Sequence, residues 1–371
     1  MRHGMAAMIY LDYQATTPLA PEAREAVLRW LGGPDAETFG NPHSPHRMGR
    51  MAAAAVEAAR AEVAALCPPG GRVIFTSGAT EALNLALRGS TGDVLTFATE
   101  HAAVLDCAGA VEAQGRGFTV LPVLADGRAD VTALAAALTP QVGVVAAMAV
   151  NNEIGVIHPL ADIAAAAHGA GALVLVDAVQ AYGRIALPAS ADMIALSAHK
   201  IHGPKGIGAL WVREGVELAP LILGGGQEGG LRSGTLSPAL CAGFGAAARV
   251  ARERMDEDAA HIAALAARAR DLFAGWEVNG SLDHRWPGNF NLRREGLDVA
   301  RLMSECRQVM FSAGSACASG SGRPSHVLRA LGLSSAEAKS SIRLGFGRYT
   351  TMADLETAAA AIIAAAEEQM P

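Results

Sequence analysis

Lysine is almost missing from this chain. Of 371 residues only Lys200, Lys205 and Lys339 are lysines, and arginine carries the rest of the basic charge. Scarcity makes each lysine informative, because an amine can lose its proton and attack a carbonyl whereas a guanidinium stays protonated. Cysteine is sparse too. Cys67, Cys107, Cys241, Cys306 and Cys317 are odd in number and show no CxxC spacing, which argues against a disulfide framework and a thiolate zinc site. No apolar run approaches the length of a membrane span; the strongest, Val142 to Val150, is strand-sized. The opening Met1-Arg2-His3-Gly4-Met5 has no apolar signal core and no cleavage site, which predicts an unsecreted, cytoplasmic chain, with Met5 and Met8 as alternative starts. A formal net charge of -6 leaves no basic footprint for nucleic acid.

What is present is a large apolar fraction, 51%, much of it alanine. That weighs against disorder and, at this length, predicts one large and one smaller domain. Strand-sized runs at Val73–Thr76, Val94–Phe97, Thr119–Pro122, Val142–Ala149, Leu173–Val176, Met193–Leu196 and Gly208–Val212 alternate with helical stretches such as Glu81–Leu87, Ala102–Ala113 and Leu160–Ala170. The pattern predicts an α/β fold with a mainly parallel seven-stranded sheet. The last two runs have no helix between them, so an antiparallel neighbour is expected there. Pro238 to Ala274 reads as one or two helices leading out of this unit. Beyond it, strands near Trp276–Val278, Asn289–Leu292, Val309–Phe311 and Ile342–Phe346 mix with helices at Val299–Arg307, His326–Leu331 and Met352–Glu368, an α+β pattern. The division expected is 12–255 for the large unit, with 1–11 and 256–371 forming the small one.

The chemistry starts at Ser197-Ala198-His199-Lys200, just past a strand end, and at Asp177, which ends Leu173-Val174-Leu175-Val176. A lysine that holds an aldehyde as a Schiff base, with an acid that keeps a pyridine nitrogen protonated, is what pyridoxal phosphate (PLP) requires. Phe75-Thr76-Ser77-Gly78-Ala79-Thr80-Glu81 is a strand, a turn of small residues and a helix start; a helix N-terminus there suits a phosphate, and an ordinary capped turn is the plain alternative. His101 follows the next strand and offers a ring to stack and pass protons. Asn151-Asn152 follows another and offers side-chain amides, or simply a turn. His101, Asn152, Asp177 and Lys200 thus all follow the C-terminal ends of expected strands, the edge where open α/β sheets bind ligands.

Three later segments remain. Gly224-Gly225-Gly226-Gln227-Glu228-Gly229-Gly230-Leu231-Arg232-Ser233-Gly234-Thr235 is glycine-rich without a dinucleotide-binding context, either a surface loop or a phosphate contact through Thr235. Phe311 to Gly322 sets Cys317 among small residues, where a thiol is a poor core residue and a good nucleophile; the other four cysteines are expected to be small buried hydrophobes. Arg343 sits inside the strand-like Ser341-Ile342-Arg343-Leu344-Gly345. Its fork suits a substrate carboxylate; an edge arginine facing water is the alternative, and Arg348 is the rival anion binder.

In this order the segments closely resemble the NifS/IscS-type cysteine desulfurases, PLP enzymes of the class V aminotransferase fold (fold type I). The resemblance runs from Tyr10-Leu11-Asp12-Tyr13-Gln14-Ala15-Thr16-Thr17-Pro18 and Gly40-Asn41-Pro42-His43-Ser44 to Ser341–Thr351, and is most specific in Ser197–Lys200 with Gly203-Pro204-Lys205-Gly206-Ile207-Gly208, in Arg232–Thr235, and in the cysteine loop, which looks like that of the longer-loop group. It implies that Lys200 carries PLP, His101 stacks on it, Asp177 pairs with the ring nitrogen and Gln180 bonds the ring oxygen. Ala79, Thr80, Ser197 and His199 would hold the phosphate, helped by Thr235 of the partner subunit. Asn152 and Arg343 would position L-cysteine, and Cys317 would take its sulfur as a persulfide, leaving alanine. A homodimer, a protein sulfur acceptor (an iron–sulfur scaffold or a sulfur carrier) and no permanent metal are implied, with Cys317 a transient ligand to a nascent iron–sulfur cluster. Neither nucleic acid nor membrane is an expected partner. Sulfur supply to iron–sulfur assembly and to tRNA thiolation are both open. A selenocysteine lyase or another class V enzyme is the same-class rival, and a non-catalytic adaptor the distant one. Two departures stand out: Ala198 replaces a frequent glycine, and the chain ends twenty residues after Thr351, which puts the usual scaffold docking mode in doubt.

Overall fold

The structure, a computed structural model, describes residues 8–314 and 325–370. Its centre is a seven-stranded sheet ordered Gly71–Thr76, Gly208–Arg213, Met193–Ser197, Leu173–Asp177, Val142–Met148, Asp93–Phe97, Phe118–Leu121. All seven expected runs are present. Gly208–Arg213 alone is antiparallel to both its neighbours; the remaining pairs are parallel. Strands such as Val142–Met148 and Met193–Ser197 are continuously apolar because helices cover both faces of the sheet. One core on each face encloses it: Phe75, Phe97, Trp211 and Phe244 lie on one side, Leu83, Leu87, Val94 and Leu210 on the other.

Asp93–Phe97 has Phe118–Leu121 on one flank and Val142–Met148 on the other. The chain therefore leaves this strand in one direction and returns on its opposite side. A crevice opens at such a switch, at the carboxyl ends of the strands. His101 follows the first of these strands and Asn152 the returning one.

A smaller antiparallel sheet runs Ser312–Ala313, Ser341–Gly345, Asn289–Arg293, Glu277–Val278, and Ile9–Tyr10 pairs in parallel with Val309–Met310. Leu11, Phe290, Leu344, Phe346 and Ile362 share its core. Pro238 to Ala274 forms two helices, Pro238–Glu253 and Met255–Leu272. The first does not lead away from the large sheet, as read from sequence, but packs on it through Cys241, Phe244 and Ala248. The second bridges the two cores, Ile262 lying in one and Leu265 in the other.

Several helices were not legible: Pro21–Arg29, Arg47–Ala64, Val131–Ala137 and Ser335–Lys339. The expected helix Ala102–Ala113 is broken into Ala102–Leu105 and Ala108–Glu112. Its hydrogen bonding tightens at the break, where the Cys107 N–H reaches the Val104 carbonyl. Cys107, Cys241 and Cys306 are buried and Cys67 half-buried, all four free. Burial pushes the Cys67 thiol up to about 12, and Cys241 likewise, helped by Glu228. Thiols held protonated in this way are inert.

One glycine is imposed by the site. Gly208 lies between Thr76 and Ser197 in the sheet, and a Cβ there would stand 2.7 Å from the Gly78 Cα. Gly208→Ala is therefore expected to cost about 1–3 kcal/mol of stability, as overpacking does, and to displace the turn at Gly78. Thermal denaturation measures the first effect, and cofactor retention by the purified protein the second.

Candidate active site

The crevice is a cavity of about 470 Å³, within the range of small-ligand sites. Every described residue to which the resemblance gave a role lines it, except Thr235: Ala79, Thr80, His101, Asn152, Asp177, Gln180, Ser197, His199, Lys200 and Arg343. Thr235 is exposed and off this cavity. Cys317 lies outside the described residues.

Lys200 ends a single 3-10 turn, Ala198–Lys200, that follows the strand Met193–Ser197. Its Nζ donates to the carbonyls of Gln14 at 2.5 Å and Ala15 at 2.8 Å. Burial, with the cations Arg343 and Arg184 nearby, pulls the amine down to about 8, against the pull of Asp12 and Asp177. A buried amine that sheds its proton near neutrality is the form that attacks an aldehyde. The sign is definite: the proton is lost as pH rises through about 8. Uptake of pyridoxal phosphate by the cofactor-free chain should accelerate up to that pH and level off above it. Stopped-flow absorbance across a pH series measures this; a rate still climbing well above pH 9 would contradict it.

Asp177 is the last residue of its strand, and its Oδ1 accepts from the Val179 N–H at 3.0 Å. Burial raises its carboxyl, while His101 and Lys200 pull it back. A carboxylate so placed gains from a cationic N–H partner. His101 caps the helix Ala102–Leu105, its Nδ1 accepting from the Ala103 N–H at 3.0 Å; the neutral ring then carries its proton on Nε2. His199 faces Thr16 Oγ1 at 3.1 Å through Nδ1. Burial, with Lys200, Lys205 and Arg184 close, drops it to about 4, so at neutral pH it is a hydrogen-bonding group without charge. Ala79 and Thr80 open the helix Ala79–Gly89, and first-turn N–H groups favour an anion.

Arg343 is not the water-facing edge arginine of the plain alternative. Its strand is flanked on both sides, and the residue is buried. Nη2 meets Asp12 Oδ1 at 2.7 Å, Nη1 meets the Asn152 carbonyl at 3.0 Å, and Nε is buried with no partner among the described residues. Asn152 Oδ1 is likewise buried and unsatisfied among them. Unsatisfied polar atoms lining a cavity are what a polar ligand answers. The rival Arg348 is committed elsewhere, to Asp258 at 2.7 Å. Cavity size, a reactive amine, a buried acid, a ring and an anion-favouring turn together fit PLP.

No role is legible in sequence for Gln14 and Ala15, which hold the lysine head, or for Thr17, whose Oγ1 donates to the His199 carbonyl at 2.9 Å. The small and hydroxyl residues of Ala15-Thr16-Thr17 were the available signal. Glu100 likewise carries no sequence signal of a role. It is fully buried, accepts from the Met148 N–H at 2.8 Å, and is pushed well above the usual carboxylate range by burial and Asp177. The flanks of the cysteine segment are tied to the neighbours of Asn152 and His101. Asn291 donates to the Gly314 carbonyl, Ser325 Oγ donates to Glu153 Oε2 at 2.5 Å, and His326 Nε2 donates to the Glu100 carbonyl at 2.9 Å.

The family model described as aminotransferase class-V matches residues 9–357. The chain belongs to that family. Among class-V relatives, cysteine desulfurase IscS of Anaeromyxobacter sp. (strain Fw109-5) is 44% identical, covering 95% of this chain and 91% of the relative. The mitochondrial cysteine desulfurase of Saccharomyces cerevisiae is 43% identical over 94% of this chain and 73% of its own length. A solved NifS-like protein from Rickettsia africae ESF-5 superposes with a TM-score of 0.86 at 29% identity, covering 98% of this chain and 99% of that one. These class-V likenesses agree with the α/β fold and the NifS/IscS resemblance read from the sequence. No helix among the described residues is long and apolar enough to cross a membrane.

Proposed function

We propose that the chain is a PLP-dependent cysteine desulfurase, converting L-cysteine to L-alanine and passing the sulfur to Cys317. The observation that carries this reading is the convergence of Lys200, Asp177, His101, Asn152 and Arg343 on one cavity at the strand ends. Similarity to proteins named cysteine desulfurase supports it. Bound at this site, PLP supplies an electron sink that loosens bonds at the substrate Cα and Cβ.

The chain's own groups do the rest. Lys200 would bond the aldehyde, and its amine, once free, would take the Cα proton. Asp177 would keep the ring nitrogen protonated, His101 would lie against the ring, and Gln180 would donate to the ring oxygen. Ala79, Thr80, Ser197 and uncharged His199 would hold the phosphate, with Thr235 of the partner subunit. Arg343 and Asn152 orient the substrate carboxylate. The Cys317 thiolate attacks the substrate sulfur; an S–S bond forms, the C–S bond breaks with its electron pair left on carbon, and that carbon is protonated to alanine. Cysteine and a thiol thus become alanine and a persulfide with no external oxidant.

On this reading the enzyme is a cytoplasmic homodimer. Residues 12–255 bind the cofactor, and 1–11 with 256–371 carry the cysteine. The sulfur goes to a protein acceptor, an iron–sulfur scaffold or a sulfur carrier. Cys317→Ser tests the assignment in a single turnover without reductant. Alanine formation should slow at least about tenfold, a barrier increase of about 1.4 kcal/mol, while the visible band of the bound cofactor stays. Alanine formation at the wild-type rate would remove Cys317 from the reaction.

A further inference from the structure

Arg184 stands behind the cavity and has no role in the mechanism above. Its guanidinium stacks on the Trp286 ring, 4.3 Å from the centroid. Nη1 donates to Gln180 Oε1 at 2.6 Å and Nη2 to the Lys200 carbonyl at 2.8 Å. Among the described residues no carboxylate pairs with it, and burial pulls it down to about 10. A half-buried cation with no carboxylate partner has lost part of its hydration without gaining a counter-charge, so a reason for keeping it is required. The contacts close a circuit. Gln180 Nε2 donates to the Gln14 carbonyl at 3.0 Å, the same oxygen that receives the Lys200 amine. The lysine is thereby held at both ends, head and carbonyl, through Gln14, Gln180 and Arg184.

An amide side chain is nearly symmetric and flips unless its ends are distinguished. A guanidinium has donors only, so Gln180 must turn its oxygen to Arg184 and its N–H groups toward the cavity. We infer that Arg184 is a positioning residue, fixing which end of Gln180 faces the cofactor and where the Lys200 turn sits. Trp286 supports it by covering the flat face of the guanidinium. Lysine cannot replace it fully, because a point charge does not span two acceptors held in a fork.

The inference rests on the proposed function, and the experiment separates the two. Purified wild type, Arg184→Met, Arg184→Lys, Gln180→Ala and the Gln180→Ala/Arg184→Met double variant are compared for visible absorption maximum and for the rate of PLP loss to an apo-acceptor. In Arg184→Met the maximum should shift and PLP should leave at least about tenfold faster, the effect of losing one charge-assisted hydrogen bond. Arg184→Lys should fall between, and carries the test alone if the methionine variant does not fold. In the Gln180→Ala background, Arg184→Met should shift the maximum no further. Wild-type maxima and loss rates in both single Arg184 variants would overturn the positioning role while leaving the desulfurase reading intact. A wild-type chain that takes up no PLP would overturn that reading and this inference with it.

Discussion

Lys200→Ala should leave a chain that folds, has no borohydride-trappable link to PLP, and forms alanine at least about 10³-fold more slowly, within the range for loss of an acid–base group. The size of the effect follows from two duties resting on one atom. On the proposed function Nζ would bond the aldehyde and then take the Cα proton, and its surroundings suit both. Burial and the cations Arg343 and Arg184 lower its proton affinity to about 8, and the carbonyls of Gln14 and Ala15 aim it. Lys205 also lines the cavity but is not expected to substitute, since a lysine must lie within hydrogen-bond reach of the proton it abstracts. Folding should survive, because the half-buried side chain lines a cavity and its removal empties no packed core. Circular dichroism, the visible spectrum before and after borohydride, and alanine formation check the three parts. A retained borohydride-sensitive band would show that another lysine forms the link.

Arg343→Gln should raise KM for L-cysteine by about 10²–10³-fold, the cost of truncating one partner of a buried charge pair, with a smaller change in kcat. The guanidinium is buried between two strands, with Nη1 and Nη2 engaged and Nε without a partner among the described residues. The substrate carboxylate would meet a charge already shared with Asp12, which restrains non-specific anions and rewards a planar carboxylate that fits the fork. Cysteamine, which is cysteine without the carboxylate, separates recognition from structural damage. Wild type should discriminate strongly against it, and Arg343→Gln should treat the two alike. Equal losses of activity on both substrates would mean that the substitution harms the fold rather than carboxylate binding.

The sheet was legible because its strands are short apolar runs spaced by helices, a signal that burial on both faces makes strong. The same logic located His101, Asn152, Asp177 and Lys200, since the carboxyl ends of parallel strands meet at one edge. Legibility failed where function depends on segments distant in sequence. Gln14 and Ala15 act through backbone carbonyls, which side-chain identity does not reveal. Arg184 looked like one arginine among many until the fold laid it on Trp286, about a hundred residues later in the chain. Arg343 had an alternative as an edge residue until strands on both sides excluded it. The helices Pro21–Arg29 and Arg47–Ala64 were missed because their weak apolar stripes are largely alanine, and they are held by packing against Pro238–Glu253.

The most direct measurement mixes the PLP-loaded protein with one equivalent of L-cysteine without reductant, then counts alanine in solution and persulfide on the protein by mass spectrometry. The account predicts equal amounts of both, with the persulfide on the peptide containing Cys317. Pyruvate in place of alanine, or alanine with no sulfur on that peptide, would contradict it.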